Sequence, residues 1–321
     1  MTKLYARIAG TGGYLPERVL DNAELERRID TTSAWIVERT GIHERRVAAE
    51  GELTSDLALA ASRRALVAAG MEAADIGMVI VATTTPDRVF PATACMLQAK
   101  LGIHNGGPAF DVQAVCSGFV YALAIANQFI RAGQVRSALV VGAETLTRIT
   151  DYGDRGNCFL WGDGAGAVVL SAATTPGILH THLHADGRHH DLLYVDGGAS
   201  MKKVGDCYMR MSGNAVFKMA VSMLADSVTE SLAAEGTPAG TIDWLIPHQA
   251  NQRILHATAK RLALDPERVI STVSHHGNTS AASIPLALDT AVRDGRIQRG
   301  QRLVLAGFGG GFTWGSALLR Y

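Results

Sequence analysis

Three side chains that could act together on an acyl group lie in "AVCSGF", "PHQANQ" and "HGNTSA". Cys116 falls between an apolar strand-like stretch and an apolar helix-like stretch, His248 follows the apolar "LIP", and Asn278 precedes small residues that open another helix-like stretch. Unpaired backbone N–H groups at a helix start, together with the helix dipole, favour a thiolate. We therefore expect Cys116 to act as a nucleophile, although a lone cysteine is more often a small buried hydrophobe.

A cysteine with a histidine and an asparagine fits two chemistries. In a cysteine hydrolase, His248 would be the general base that deprotonates Cys116, and Asn278 would orient the histidine. In a condensing enzyme, Cys116 would carry an acyl group while His248 and Asn278 donate hydrogen bonds to a developing enolate oxygen. The residue types leave both open, but Asn278 stands at a predicted helix start beside small residues rather than behind the histidine, which favours the second.

The elements that must position these residues alternate between strands and helices. Strands are predicted over 76–85, 107–115, 136–145, 242–249, 269–273 and 302–308, with two strand-like parts in 156–172, and helices over 92–102, 117–132, 252–264 and 279–295. This order predicts an α/β protein whose central strands are mainly parallel. The candidate residues then lie at the carboxyl ends of strands, where the active sites of such sheets are usually found.

The second half of the chain repeats patterns of the first. "DIGMVIV" matches "TIDWLIP", and "FLWGDGAGAVVL" matches "FTWGSALLRY". Cys116 lies 17 residues before Gly133, and Asn278 lies 17 residues before Gly295, each glycine being a predicted helix end. These matches predict a duplication in which Cys116 and Asn278 hold equivalent positions.

The duplication divides the chain into an N-terminal half, 1–172, that carries the cysteine, and a C-terminal half, 173–321, that carries the histidine and the asparagine. The segment 173–215 breaks the pattern and is interpreted as the crossover between the halves plus a long excursion. It contains "HTHLH", but carboxylate or cysteine ligands at suitable spacing are not evident, so we expect no metal site there.

The composition excludes several classes of protein. The chain has 30 basic and 30 acidic residues and no net charge, which argues against a nucleic-acid or anionic-membrane partner. Its longest apolar stretches have the length of a strand and its start lacks the apolar run of a signal peptide, so no membrane segment is expected. Four cysteines without a CxxC pair indicate a reduced, cytoplasmic protein.

The motifs "DVQAVCSGF", "PHQANQRI", "HGNTSAASIP" and "GFGGGFTWGSALLRY" resemble the four signatures of β-ketoacyl-acyl carrier protein synthase III. That family initiates bacterial type II fatty acid biosynthesis. The resemblance runs from "GTGGYLP" near the start to Tyr321. It implies the thiolase fold, a duplicated five-layer αβαβα arrangement with mixed, mainly parallel sheets, and a homodimer. It also implies no cofactor, because acyl-CoA is a substrate.

The resemblance assigns roles to the candidate residues. Cys116 should take the acyl group of a short acyl-CoA, with acetyl-CoA as the first choice, while His248 and Asn278 bind the thioester carbonyl of malonyl-acyl carrier protein. Loss of CO2 then leaves an enolate that attacks the acyl-cysteine and gives a 3-oxoacyl-acyl carrier protein. The N–H groups of Cys116 and Gly310 should form a second oxyanion hole for acyl transfer.

The resemblance also implies binding residues for the two substrates. Trp35 should stack on the adenine of CoA, Arg39 and Arg155 should lie near its phosphates, and Asn251 should contact the pantetheine arm. On the predicted helix over 252–264, Arg253, His256 and Lys260 share one face, with Arg261 beside them. This basic face, joined by Lys218, suits an acidic carrier protein, although a merely solvated face has the same pattern.

The acyl pocket is the least determined part. Phe90 matches a phenylalanine that the family inserts from the partner subunit, and the residues that match the pocket lining are Met209, Met211, Gly213 and Phe217. Methionines adapt to many shapes, so they do not fix the length of the acyl chain. The alternative functions are a synthase III-like condensing enzyme of secondary metabolism and a cysteine hydrolase acting on thioesters.

Overall fold

The computed structural model describes residues 3–201 and 207–321. Part of the predicted excursion, 202–206, lies outside the described residues. The strands are Tyr5–Tyr14 (β1), Arg18–Asp21 (β2), Glu44–Val47 (β3), Val79–Ala82 (β4), Ala109–Val112 (β5), Ser137–Thr145 (β6), Asp163–Ala173 (β7), Ile178–Ala185 (β8), Leu193–Val195 (β9), Met209–Met211 (β10), Trp244–Pro247 (β11), Arg302–Gly309 (β12) and Thr313–Arg320 (β13). The helices are Asn22–Glu26 (α1), Ser33–Thr40 (α2), Thr54–Ala69 (α3), Thr93–Leu101 (α4), Gly118–Arg131 (α5), Gly213–Ala234 (α6), Gln252–Arg261 (α7), Val273–His276 (α8) and Ser283–Arg293 (α9).

Two large sheets and three helix layers build the molecule. The first sheet has the order β1-β7-β6-β4-β5 and the second has the order β11-β12-β13-β8. Helices α5 and α9 contact both sheets and form the middle layer, α3 and α4 cover the first sheet, and α6 covers the second, with α7 packed against α6. The five-layer αβαβα arrangement is therefore confirmed. In the described ranges, none of the helices combines the length and apolar character that crossing a bilayer requires.

Burial explains why these helices occupy different layers. The middle helix α5 is apolar on nearly all sides, with Phe119, Val120 and Leu123 fully buried, as expected for a helix between two sheets. In contrast, α7 buries Ile254 and Leu255 on one face and presents charged residues on the other, which is typical of an outer helix.

The four strands of the second sheet repeat the topology of four of the five strands in the first. In the first sheet, β4 pairs in parallel with β5 and β6, and β7 pairs antiparallel with β6 and β1. In the second, β11 pairs in parallel with β12, and β13 pairs antiparallel with β12 and β8. Three pairings are parallel and four are antiparallel, so the sheets are mixed as predicted but not mainly parallel.

The predicted strand over 269–273 is wrong. Val269 makes one isolated parallel bridge to Leu245, at the position that β5 holds in the first sheet. The side chain of Gln249 instead donates to the Ile270 carbonyl at 3.1 Å and accepts from the Thr272 N–H at 2.8 Å. Because this amide satisfies the backbone groups, the segment stays out of the sheet and continues into α8.

The region 156–172 contains one strand, β7, instead of two strand-like parts. The residues before it make a different contact, since Trp161 forms an isolated parallel bridge with Asn278. The strands of the first sheet all end by Ala173, and those of the second begin at Ile178. The division at 172/173, which falls on the last residue of β7, stays a prediction.

Each middle helix is entered through a strained turn. A 3₁₀ turn over Val115–Ser117 precedes α5, and another over Ser280–Ala282 precedes α9. The first residue of each turn has a φ of 47°, a left-handed value that side chains other than glycine rarely adopt. These two turns, here called the Cys116 elbow and the Ser280 elbow, are the equivalent features of the two halves.

The predicted equivalence of Cys116 and Asn278 is therefore wrong. Counting from the strained residue of each elbow, the counterpart of Cys116 is Ala281, and Asn278 lies three residues before it. The count from the terminal glycines failed because α5 has 14 residues and α9 has 11. Asn278 reaches the site from the loop before the elbow and not from the helix start.

Candidate active site

Two cavities meet at Cys116. The first, here called the Thr84 cavity, comprises about 540 Å³ of empty space including its opening to solvent, and its lining includes Cys116, Thr84, Gln113, Leu146, Met209 and Ser280. The second, the His248 cavity, comprises about 490 Å³ on the same measure, and its lining includes Cys116, His248, Asn278, Asn251 and Phe217. The structure thus brings the three predicted catalytic residues together around one space.

The Cys116 thiol is buried, with 3% of the residue exposed. Burial raises the pKa of the thiol to about 12, and the nearby Glu144 carboxylate raises it further, while the Ser280 hydroxyl and the N–H of Cys116 itself lower it. The expectation that the helix start favours a thiolate is therefore wrong for the free enzyme, because desolvation outweighs the local N–H groups. The resting nucleophile is a thiol, and its proton must be removed when it reacts.

His248 follows β11 and is buried. Burial lowers the pKa of its imidazole to about 3, so the ring is neutral in the physiological range. Its Nδ1 lies 2.7 Å from the Ser283 hydroxyl, which also accepts from the Gln249 N–H at 3.3 Å. Among the described residues, Nδ1 is the acceptor within hydrogen-bond distance of the Ser283 hydroxyl proton, and this arrangement favours the tautomer with the ring proton on Nε2. Nε2 makes no hydrogen bond to any described residue.

Asn278 is held by its backbone and by its side-chain oxygen. Its N–H donates to the Leu160 carbonyl at 2.8 Å, and its own carbonyl accepts from the Gly162 N–H at 3.0 Å. Its Oδ1 accepts from the Ser280 N–H at 2.9 Å, which leaves the side-chain NH2 group as the donor that faces the His248 cavity. No hydrogen bond joins Asn278 to His248, so the asparagine does not orient the histidine.

The glycine run that begins with the last residue of β12 packs against the Cys116 elbow. A Cβ on Gly309 would lie 2.6 Å from the backbone nitrogen of Cys116, so only glycine allows this approach. Gly310, the predicted second donor of the oxyanion hole, comes next and packs against the Leu193 carbonyl. Its role in acyl transfer stays a prediction.

The predicted acyl-pocket residues separate into two groups. Met209 lines the Thr84 cavity, whereas Met211, Gly213 and Phe217 line the His248 cavity, on the side of Asn251. The predicted pocket residues are therefore divided between the two cavities, and their role in binding the acyl chain stays a prediction. Phe90 is 82% exposed on a loop and lines neither cavity of its own chain.

Of the predicted CoA-binding residues, Asn251 lines the His248 cavity, whereas Trp35, Arg39 and Arg155 do not. Trp35 on α2 packs edge-on against Phe159 at 5.2 Å between ring centroids, and Arg39 lies 5.6 Å from the Trp35 ring. Arg155 is exposed and forms an ion pair with Asp30. Asn251 is the N-cap of α7, since its Oδ1 accepts from the Ile254 N–H at 2.9 Å, and its NH2 group is left for a ligand.

The basic face predicted on α7 is exposed and borders the same cavity. Its residues are Arg253, His256, Lys260 and Arg261, and Lys218 is exposed on the adjacent helix α6. Arg253 lies 5.4 Å from the ring of Phe217, which lines the His248 cavity. Arg261 pairs with Asp226, but Arg253 and Lys260 pair with no acidic group among the described residues.

Sequence reasoning missed several residues that shape the site. Ser283 was part of the quoted "HGNTSAASIP", but nothing in the sequence showed that it would meet His248. Trp161 and Leu193 line both cavities. Glu144 is fully buried at the end of β6, and burial raises the pKa of its carboxyl.

The histidines of "HTHLH" lie on β8 and pair with acidic residues in and just after α6. His182 and His184 contact Glu230, and His180 contacts Glu235. Within the part of the chain that the structure describes, no group of three or more histidine, cysteine, aspartate or glutamate residues is arranged to hold a metal.

Two family models match the chain. The model described as 3-Oxoacyl-[acyl-carrier-protein (ACP)] synthase III matches residues 110–187, and the model of the C terminal of the same enzyme matches residues 232–321. The first range holds Cys116, and the second holds His248 and Asn278.

Individual proteins match over the whole length. The chain is 63% identical over 317 residues to the Beta-ketoacyl-[acyl-carrier-protein] synthase III of Thiobacillus denitrificans, covering 99% of both chains. The crystal structure of 3-oxoacyl-[acyl-carrier-protein] synthase III from Aquifex aeolicus matches with a TM-score of 0.94 and 43% identity, over 98% of this chain and all of that one. The priming β-ketosynthase of the R1128 polyketide pathway matches with a TM-score of 0.95 at 37% identity, over 99% and 97% of the chains.

The fold, the cavity that joins Cys116, His248 and Asn278, and these full-length similarities agree. The chain belongs to the 3-oxoacyl-[acyl-carrier-protein] synthase III family.

Proposed function

We propose that the chain condenses a short acyl-CoA with malonyl-acyl carrier protein and so initiates type II fatty acid biosynthesis. Cys116 takes the acyl group, with release of CoA. Malonyl-carrier protein then loses CO2, and the resulting enolate attacks the acyl-cysteine to give 3-oxoacyl-acyl carrier protein. Acetyl-CoA is the proposed primer.

The observation that carries this proposal is the state of the two polar side chains beside Cys116. His248 is neutral with its proton on Nε2, and Asn278 has its oxygen occupied, so both present N–H donors to one cavity. Two fixed donors in a buried site stabilise an enolate oxygen, and one such donor is worth roughly 3–4 kcal/mol in related oxyanion holes. A pair of donors suits an acceptor oxygen that gains charge during decarboxylation.

The same geometry argues against a cysteine hydrolase. That mechanism needs a histidine that accepts the thiol proton and an asparagine that orients it. Here Nδ1 is occupied by Ser283, Nε2 carries the proton, and Asn278 is bonded elsewhere. The alternative of a secondary-metabolism enzyme has less support, since the identity to the polyketide priming enzyme is 37% against 63% for the synthase III relative.

Both substrates reach Cys116 through the His248 cavity. The pantetheine arm of either one passes Asn251 and Phe217, with Trp35, Arg39 and Arg155 placed outside for the nucleotide end of CoA. The acidic carrier protein docks on the unpaired cations Arg253 and Lys260 beside the cavity mouth, with His256, Arg261 and Lys218 at its edge. The N–H groups of Cys116 and Gly310 serve the acyl-transfer step.

The acyl chain lies in the Thr84 cavity. This cavity is lined by Leu146, Trp161 and Met209 and is open beside the exposed side chains of Tyr194 and Val195. In the proposed homodimer, the exposed Phe90 of one subunit closes the pocket of its partner. A reducing, cytoplasmic location is consistent with Cys95, Cys116 and Cys158, which form no disulfide.

The proposal is tested by incubating the protein with a panel of acyl-CoAs, locating the acyl group by peptide mass, and adding malonyl-carrier protein while CO2 is measured. We expect the label on Cys116 and CO2 release only with malonyl-carrier protein. A Cys116→Ser variant should carry no acyl label, whereas Cys95→Ser, which removes an exposed thiol, should behave as the wild type. Absence of a label with every acyl-CoA would refute the proposal, and label followed only by free acid would favour the hydrolase.

A further inference from the structure

Arg45 is a fully buried arginine that the reaction described above does not use. It lies in β3, and its Nη1 donates to the Leu20 carbonyl at 3.0 Å and to Asn22 Oδ1 at 2.8 Å. Its Nη2 donates to the Phe159 carbonyl at 2.6 Å. One guanidinium group therefore joins β2, α1 and residues 159–162, which precede β7 and are here called the Phe159 segment.

The charge of Arg45 is not matched by an ion pair within the part of the chain that the structure describes. Its acceptors are two carbonyl oxygens and one amide oxygen, and its Nε makes no hydrogen bond to any described residue. Burial lowers the pKa of the guanidinium only to about 10, so the group is charged at neutral pH. A buried cation is costly to the folded state unless it is paired, so its presence here indicates a role beyond filling space.

The Phe159 segment holds the backbone of Asn278 on both sides. The Asn278 N–H donates to the Leu160 carbonyl at 2.8 Å, and the Asn278 carbonyl accepts from the Gly162 N–H at 3.0 Å. Leu160, Trp161 and Asn278 all line the His248 cavity. The position of the Asn278 amide in that cavity therefore depends on the position of this segment.

The stem of Arg45 packs against the same backbone pairing. A Cβ on Gly277 would lie 2.9 Å from the Arg45 Cβ, and a Cβ on Gly162 would lie 3.1 Å from it. Gly277 directly precedes Asn278, and Gly162 is bonded to Asn278. Arg45 thus contacts the pairing with its Cβ and fixes the start of the Phe159 segment with its guanidinium group.

We propose that Arg45 is a positioning residue that holds the Asn278 amide at the enolate oxygen. Arg45 lines neither cavity, so it acts through the Phe159 segment and not on the substrate. Without the guanidinium group the Phe159 carbonyl loses this donor, the segment shifts, and the Asn278 NH2 group moves with it. A misplacement of about 1 Å at a reacting group can cost roughly 100-fold in rate. This inference rests on the proposed function.

The effect should fall on the second half-reaction. The Cys116 elbow packs against β12 and the Ser280 elbow, and Arg45 donates to neither of them. Transfer of the acyl group to Cys116 should therefore not depend on Arg45. This step is measured at saturating acyl-CoA, because the Phe159 ring packs against Trp35 and a shift of the segment can also weaken CoA binding.

The test measures the two half-reactions of the full-length enzyme separately, by intact mass after addition of acetyl-CoA and by CO2 release from malonyl-carrier protein on acylated enzyme. The variants are Arg45→Met and Arg45→Lys, each alone and combined with Asn278→Ala. Arg45→Lys keeps the charge and the stem but offers one ammonium group in place of the fork of donors, and it carries the test if Arg45→Met does not fold. The matched control is Arg299→Met, because Arg299 also donates to two backbone carbonyls, those of Ile8 and Ala9, and lines neither cavity.

We expect CO2 release by the Arg45 variants to fall about 10- to 100-fold, while acyl transfer stays at the wild-type rate and Arg299→Met changes neither step. In the Asn278→Ala background, replacement of Arg45 should cause no further loss of CO2 release, because the amide that it positions is already absent. A general loss of stability would not produce this non-additive pattern. Circular dichroism shows which variants are folded.

Three results would overturn the proposal. CO2 release at the wild-type rate in Arg45→Lys would show that the fork of donors is not needed. An equal fall of acyl transfer and CO2 release would indicate a structural role alone, and a full further loss in the Asn278→Ala background would show that Arg45 does not act through the asparagine. Failure of the proposed function is a separate result, because the wild-type enzyme would then take no acyl group or release no CO2.

Discussion

Replacement of Ser283 by alanine tests how the protein prepares His248. The hydroxyl lies 2.7 Å from Nδ1 and fixes the ring proton on Nε2, where the substrate carbonyl needs a donor. Without it, a buried Nδ1 loses its partner, and the ring can adopt the tautomer that presents a lone pair to the cavity. Loss of one partner of a buried polar group costs about 1–3 kcal/mol, which corresponds to roughly a 5- to 150-fold change in rate.

The loss should fall on one half-reaction. We expect CO2 release and condensation to decrease by that factor in Ser283→Ala, because the histidine acts on the enolate oxygen. Transfer of the acyl group to Cys116 should stay close to the wild-type rate, since that step uses backbone donors. The two half-reactions are measured separately, by intact mass after acyl-CoA addition and by CO2 release from malonyl-carrier protein.

A matched control separates this effect from general destabilisation. Ser62 is also buried, and its hydroxyl donates to the Ala58 carbonyl within α3, on the outer face of the first sheet. Ser62→Ala should leave both half-reactions unchanged. The reasoning is refuted if Ser283→Ala releases CO2 at the wild-type rate, or if acyl transfer and CO2 release fall by the same factor.

Three further predictions concern pH, docking and packing. Because burial holds the pKa of His248 near 3, the ring stays neutral as the pH falls from 8 to 5. The pH profile of CO2 release by acylated enzyme should therefore show no acid limb from this histidine, and a limb near pH 6.5 would contradict this. The double charge reversal Arg253→Glu with Lys260→Glu should raise the KM for malonyl-carrier protein at least about tenfold, because electrostatic complementarity is lost. Acylation by acyl-CoA should stay normal in this variant, and Arg63→Glu, an exposed control on α3, should have no effect on either step. An unchanged KM in the double variant would show that α7 is not part of the docking surface. Gly309→Ala should reduce the rate of acyl transfer by more than about 100-fold, because the new Cβ would lie 2.6 Å from the Cys116 nitrogen. Gly187→Ala, whose Cβ would have no atom within 4 Å, should leave the rate unchanged. Acyl-transfer rates and circular dichroism spectra of both variants test this, and a fully active Gly309→Ala would refute the packing argument.

The repeated order of strands and helices was enough to predict the duplicated α/β architecture. Residues with local signals were also found, since Cys116, His248 and Asn278 each stand where an apolar element begins or ends. The equivalence of Cys116 and Asn278 could not be found by counting, because the two middle helices differ in length by three residues, 14 against 11. The equivalent positions are Val115 and Ser280, which share a strained positive φ. This backbone conformation could not be predicted, because neither residue is a glycine.

Other features depended on contacts between distant segments. Whether a thiol at a helix start is ionised depends on its burial and on Glu144, which comes from another strand. The strand predicted over 269–273 does not form, and this could not be foreseen because it involves the distant Gln249 side chain. That side chain makes hydrogen bonds to the backbone of Ile270 and Thr272 in place of the bonds of a neighbouring strand. The sequence also did not show that Met209 would line one cavity while Met211, Gly213 and Phe217 line the other, because the division depends on tertiary contacts.

The junction of the two cavities at Cys116 has a consequence for kinetics. In the proposed function the His248 cavity is the passage for both pantetheine arms, and Cys116, which lines this cavity, is 3% exposed. Two arms cannot occupy the passage together, so CoA must leave before the carrier protein enters. Initial velocities should therefore follow a ping-pong pattern, with parallel lines when one substrate is varied at fixed levels of the other. Each substrate, in excess, should inhibit competitively against the other, because each blocks the form of the enzyme that the other requires.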